Sequence, residues 1–297
     1  MSRTLRRQNG SAPAVTHTDR SSAVMVRGLS KSYGRVPAVR DLDLDVSYGE
    51  IFAILGPNGA GKSTTIEILE GHRKRDAGYA RVLGEDPGVA GRSWRAKIGI
   101  VLQEASDAGM LTVSETVRMF ADCHAQARAP QEVLELVGLA SLGNSRVRTL
   151  SGGQRRRLDV AIGIINVPSL LFLDEPTTGF DPEARRRFWD LIRLLAADGT
   201  TIVLTTHYLD EAAALADRVA VIAGGRVVAV DSPQRLIDYV SSTATVRWRQ
   251  GDDIYVEQTD HPTELIRRRS QDGTELAELT VSRPTLEDAY LHLIGLS

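Results

Sequence analysis

Gly56-Pro57-Asn58-Gly59-Ala60-Gly61-Lys62-Ser63 is the stretch that decides how this chain folds. It follows the apolar run Ile51-Phe52-Ala53-Ile54-Leu55 and precedes a helical pattern from Thr64 to Leu69. That is the strand–loop–helix setting of a phosphate-binding loop. Its glycines let the backbone turn N–H groups inward as an anion nest, and the following helix aims its positive dipole end at the same point. Lys62 is placed to reach the β- and γ-phosphates as a compact cation, and the Ser63 hydroxyl to ligate Mg²⁺. The stretch predicts a nucleotide binder of α/β class and leaves the kind of nucleotide open.

Two later segments extend the site. Leu150-Ser151-Gly152-Gly153-Gln154 opens a helical stretch running to Ile165. Ser151 and the N–H groups of Gly152 and Gly153 make it a second anion-binding helix end, without a lysine or acid of its own. Leu170-Leu171-Phe172-Leu173-Asp174-Glu175 is a continuous apolar run ending in two acids. Such a run suits a strand buried on both faces of a parallel sheet, and the acids emerge where α/β sheets place their ligands. Asp174 is the natural Mg²⁺ partner, direct or through water, and Glu175 is placed to activate the attacking water. Pro176-Thr177-Thr178-Gly179-Phe180-Asp181-Pro182 follows, then a strand from Thr201 to Thr205, then Thr206-His207.

Over about residues 24 to 237 this order and spacing resembles the ATP-binding cassette ATPases, the nucleotide-binding subunits of ABC transporters. The resemblance implies a P-loop NTPase with a RecA-like core, an antiparallel β subdomain and an α-helical subdomain. It also implies the site residues. Tyr33, in Lys31-Ser32-Tyr33-Gly34, matches the aromatic that stacks on adenine, and Thr64 joins Gly56 to Ser63 around the phosphates. Gln103 matches the glutamine that senses Mg²⁺ and links to the membrane partner, and Ser151 to Gln154 match the family signature. Asp181 matches the acid lying across the dimer seam, with a helix cap before Pro182 as the alternative; His207 matches the histidine at the γ-phosphate.

The family's ATP is sandwiched between the phosphate loop of one subunit and the signature of the next, so the resemblance implies a homodimer enclosing two ATP–Mg. The end of the chain, with Arg155-Arg156-Arg157-Leu158-Asp159, is similar to the daunorubicin-type drug-resistance subgroup. Phe180 departs from that pattern, where Leu is usual. The implied protein is the ATPase of a bacterial exporter of a drug, antibiotic or lipid-like molecule. It would sit at the cytoplasmic face of the membrane through an ABC-2-type permease. An importer ATPase and a non-transport cassette ATPase stand as alternatives.

Composition mostly restricts. A chain of 297 residues can bury one large core and a small one. A net charge of −2 gives no polyanion-binding signature, so no nucleic-acid partner is expected. The single Cys123 excludes an internal disulfide, and no run approaches the length of an apolar membrane span. Residues 1–22 read as a disordered basic tail and 23–239 as the cassette. Residues 240–297 read as a small α+β appendage: alternating Val246, Trp248, Ile254 and Val256, a helix from Pro262 to Arg269, a strand from Glu275 to Val281, and a capped terminal helix. A helix from about Val113 to Ala127 is expected to include Cys123 and His124, and Gln103 to about Phe120 to face the permease.

Overall fold

The computed structural model describes residues 22–101, 109–239, 243–270, 273 and 275–295. The basic tail up to residue 21 and Gln103 lie outside these residues. The hairpin β1 (Ser22–Tyr33) and β2 (Val36–Ser47) leads into β3 (Ile51–Leu55), the phosphate loop and α1 (Lys62–Leu69). β4 (Ala77–Val82) returns to β1, giving an antiparallel sheet of order β2-β1-β4. A short α2 (Arg92–Arg95) then precedes β5 (Ile98–Val101).

An α-helical region follows: α3 (Val113–Ala121), α4 (Pro130–Leu136) and α5 (Gly152–Ile164). The chain then alternates β6 (Leu170–Asp174), α6 (Pro182–Ala197), β7 (Thr201–Thr206), α7 (Leu209–Leu215) and β8 (Arg218–Ala223). β9 (Arg226–Asp231) and α8 (Pro233–Asp238) complete this part. The principal sheet has the order β5-β6-β7-β3-β8-β9, parallel except for β9 at one edge.

The apolar strands lack alternation because each face of this sheet carries its own core. Ile51, Ala53 and Leu55 of β3 join a cluster with α3 to α7, whereas Phe52 and Ile54 join one with α1 and the antiparallel sheet. β6 divides likewise: Leu171 and Leu173 face the helices, Leu170 and Phe172 the other side. Each fully buried Leu, Ile or Phe contributes about 1.5–3 kcal/mol, so both faces of the sheet are held by packing.

Helix α3 is shorter than the sequence pattern suggests. Thr112 and Glu115 close its start with a capping box, and Val113 and Val117 are buried. It ends at Ala121, where the N–H groups of Cys123 and His124 turn back three residues to Phe120 and Ala121. Cys123 is exposed and His124 half-buried, in a polar stretch with no apolar stripe to dock, and Pro130 opens the next helix.

After α8, the strands β10 (Ala244–Gln250) and β11 (Asp253–Thr259), helix α9 (Pro262–Arg269) and β12 (Ala277–Ser282) form a separate small sheet of order β11-β10-β12. Its core is Val246, Trp248 and Leu265. The terminal helix α10 (Leu286–Leu293), which the sequence pattern groups with this appendage, packs elsewhere. Leu286 and Ala289 belong to the same cluster as Leu215 and Leu236, so α10 lies on the body of the cassette beside α7 and α8. Helix α9 already covers the small sheet, and the apolar stripe of α10 finds its partner surface on the larger core. Among the described residues no helix is long and apolar enough to cross a membrane.

Candidate functional site

Three neighbouring strands end at one level and bring the site together. In the sheet β3 is paired to β7, and β7 to β6, with Leu55 opposite Thr206 and Asp174 opposite Thr205. The phosphate loop, Asp174 and Glu175 at the end of β6 and His207 after β7 therefore leave the sheet at the same carboxyl-end edge.

The loop needs its glycines. A Cβ on Gly56 would stand 2.4 Å from the Ile222 carbonyl oxygen. Gly61, at φ +101°, precedes α1, and a Cβ there would stand 2.4 Å from the Ala38 carbonyl oxygen. Pro57, Asn58, Gly59 and Ser63 are exposed at the mouth, whereas Ala60 and Lys62 are buried. The Lys62 ammonium donates to the Gly56 carbonyl at 2.8 Å and the Pro57 carbonyl at 3.3 Å. Burial pushes its pKa below the ordinary lysine value, and the Glu175 and Asp174 carboxylates pull against that.

Glu175 stands between two cationic or polarisable groups. Its Oε1 lies 3.9 Å from Lys62 Nζ and 3.2 Å from His207 Nδ1, and the Thr178 hydroxyl lies 3.5 Å from Oε2. Its backbone is in the left-handed region, φ +44°. For a residue with a Cβ this conformation costs about 1–3 kcal/mol and persists only where surroundings impose it. The Glu175 N–H donates to Thr205 Oγ1 at 3.0 Å and to the Thr205 carbonyl at 3.1 Å. The same Thr205 hydroxyl donates to Asp174 Oδ1. On the other side Arg156, buried in α5, donates to the carbonyls of Asp174 at 2.6 Å and Pro176 at 3.1 Å.

Tyr33 is exposed at the end of β1, with its hydroxyl 3.4 Å from Thr64 Oγ1 on α1. The Arg73 guanidinium lies 5.1 Å from its ring centre. That puts the aromatic beside the phosphate loop, as its sequence position suggests. The signature opens α5, the helix that carries Arg156. Ser151 caps α5 by accepting from the Gln154 N–H at 3.3 Å, while Gln154 Oε1 accepts from the Ser151 N–H at 2.9 Å. Ser151 and Gly152 are exposed, and Gly153 is half-buried against Phe180 and Ala184. Asp181, also exposed, caps α6 by accepting from the N–H groups of Glu183 at 2.9 Å and Ala184 at 2.8 Å.

The structure thus brings Gly56 to Thr64, Tyr33, Asp174, Glu175 and His207 to one end of the sheet. Two contributors escape the motif reading, Thr205 and Arg156. Arg156 had a signal. It precedes Val160 by four residues and Gly163 by seven, and so stands on the buried face of α5. Thr205 is one of six consecutive buried residues of β7, and nothing in its sequence neighbourhood marks it out.

The sequence profile of the ABC transporter family matches residues 39–178. The chain is 36% identical over 305 residues to a daunorubicin resistance ATP-binding protein, DrrA3, of Streptomyces coeruleorubidus; the match covers 92% of this chain and 96% of that one. It is 37% identical to the Nod factor export ATP-binding protein I of a Rhizobium species (strain N33), over 92% of this chain and 97% of the relative. Among solved structures it resembles a dimeric ATP-binding cassette in a post-hydrolysis state bound to ADP and Pi. There the TM-score is 0.64 at 26% identity, covering 70% of this chain and 98% of that one. With a phosphate loop, an acid pair and a histidine gathered at one sheet edge, and relatives matching nearly end to end, the chain belongs to the ABC transporter family as an ATP-binding cassette ATPase.

Proposed function

We propose that this chain hydrolyses ATP as a homodimer at the cytoplasmic face of the membrane, driving an ABC-2-type permease that exports a drug, antibiotic or lipid-like molecule. The observation that carries the catalytic part is the convergence of Lys62, Glu175 and His207, with Glu175 held in a strained conformation. Lys62 binds the β- and γ-phosphates along with the loop N–H groups, and Tyr33 stacks on the adenine. Glu175 accepts the proton of the attacking water, and His207, hydrogen-bonding distance from it, contacts the γ-phosphate. Ser151, the N–H groups of Gly152 and Gly153, and Gln154 close on the ATP of the other subunit. Asp181, while capping α6, faces the seam.

Ser63 and Asp174 supply hard oxygen donors, a hydroxyl and a carboxylate, which fit Mg²⁺. They would hold the ion together with Gln103. When bound, Mg²⁺ neutralises charge developing on the phosphate oxygens. Excluding water between the two jaws strengthens every charge interaction inside, so turnover depends on closure.

The export reading leans on the relatives' names: one is a daunorubicin resistance protein and another a Nod factor export protein. Inside-out membrane vesicles carrying this chain and the permease encoded beside it test the reading. ATP should drive a fluorescent anthracycline into the vesicle lumen. ATP-driven loss from the lumen would indicate import, and no permease-dependent movement of this or other amphipathic probes would favour a non-transport role.

A further inference from the structure

We propose that Arg156 is a positioning residue for hydrolysis: it fixes the backbone of Glu175 in its left-handed conformation and so sets where that carboxylate stands. This rests on the role of Glu175 given above. The φ of Glu175 is the rotation between its Cα and the peptide plane joining it to Asp174. That plane is pinned at both ends. Its carbonyl oxygen accepts from Arg156 Nη2 at 2.6 Å, and its N–H is held by Thr205 at 3.0 and 3.1 Å. The next fixed point along the chain is the Pro176 carbonyl, which accepts from Arg156 Nε at 3.1 Å. One planar guanidinium thus spans the strained residue, gripping the carbonyl before it and the carbonyl after it. Released from either hold, Glu175 could relax toward negative φ, which would swing its side chain away from Lys62 and His207.

Arg156 is only 8% exposed, on a face of α5 shared with Val160, Gly163, Ile164 and the half-buried Asp159. An apolar residue would pack there without the cost of desolvating a charge. Burial indeed pulls the guanidinium below its ordinary pKa, opposed by Asp159, Asp174 and Glu211. A fork of fixed donors is what two carbonyls on either side of one residue, those of Asp174 and Pro176, require, and the point charge of a lysine can serve only one of them well.

The full chain is assayed as Arg156→Met and Arg156→Lys, with steady-state ATPase rates and titration by a fluorescent ATP analogue. Arg156→Met should lower kcat by about 10- to 100-fold, with KM and nucleotide affinity within about twofold of the parent. Arg156→Lys should fall between. Combined with Glu175→Gln, Arg156→Met should cause no further loss, because both act through one carboxylate. A kcat within about twofold of the parent, a KM rising as kcat falls, or losses that multiply in the double variant would each overturn the proposal. Should Arg156→Met fail to fold, the same kcat-against-KM split in Arg156→Lys decides. Full turnover by Glu175→Gln would remove Glu175 from its role, and this proposal with it.

Discussion

Helices α1 and α5 both begin at glycine-rich turns, yet their first turns are finished differently. Gly61 gives α1 no side-chain cap, and the side chain that follows, Lys62, folds underneath onto two carbonyls of its own loop. Ser151 and Gln154, three residues apart, close α5 with a reciprocal pair of hydrogen bonds. Around the first turn of α1 gather Glu175, His207 and Tyr33, drawn from three different strand ends. Around the first turn of α5 the exposed Ser151 and Gly152 face outward. One helix end is the centre of a tertiary site, and the other is a local capping motif carried on a surface. The difference teaches where each can fail: the first through any of several distant elements, the second only through its own turn or its docking to another surface.

The largest test of this contrast is Glu175→Gln. It should lower turnover by about 10²–10⁴-fold while ATP still binds, and light scattering with Mg²⁺ and ATP should then report a dimer. Monomer alone under those conditions would break the pairing of the two helix ends. Next in size, Lys62→Ala removes a buried charged donor and should weaken ATP affinity by about 10- to 100-fold. Ser151→Ala should leave a monomer's ATP affinity unchanged and lower turnover by about tenfold, losing roughly 1 kcal/mol of helix capping. A large affinity loss in Ser151→Ala would mean that both turns serve one nucleotide within a single chain.

The smallest effect concerns the far end of α1. Glu70 is buried there, and burial, with Asp174 and Glu67 nearby, pushes its carboxyl up from 4.5 to about 8. Between those values the folded chain keeps a proton that the unfolded chain has lost, so this group's contribution falls as pH rises through the window. Glu70→Gln should therefore flatten the dependence of Tm on pH. Its gain over the parent should be greater at about pH 8 than at about pH 5, by roughly 2–4 °C. An equal shift at both values would show that Glu70 does not titrate there, leaving the surroundings of α1 less electrostatic than its opening turn suggests.

Much of the architecture was legible because the decisive residues are local. The unbroken apolar runs of β3 and β6, each ending in its motif, announce strands covered on both faces, and the two cores bear this out. Helix α9 falls at Pro262–Arg269, where the proline and the apolar pair Leu265-Ile266 put it. Other features were not legible, for physical reasons. The end of α3 depends on where a buried partner surface stops, and the docking of α10 on α7 and α8 depends on which of two cores has room for its stripe. Neither is written in a neighbouring residue.

The site divides along the same line. Sequence by itself determined the chemistry available: a glycine-lined anion nest with one lysine, two acids after a buried strand, a histidine after another, and a second capped helix end. These follow from residue type and spacing, because a phosphate needs backbone N–H groups and a strand of alternating faces fixes where its last residues emerge. Only the tertiary structure decided that β6, β7 and β3 lie side by side so that these groups meet. It alone set the left-handed backbone of Glu175, since the two holds on that peptide plane come from Thr205, thirty residues on, and from Arg156 in a helix nineteen residues before. A conformation that costs energy locally can be imposed only by contacts from elsewhere in the chain.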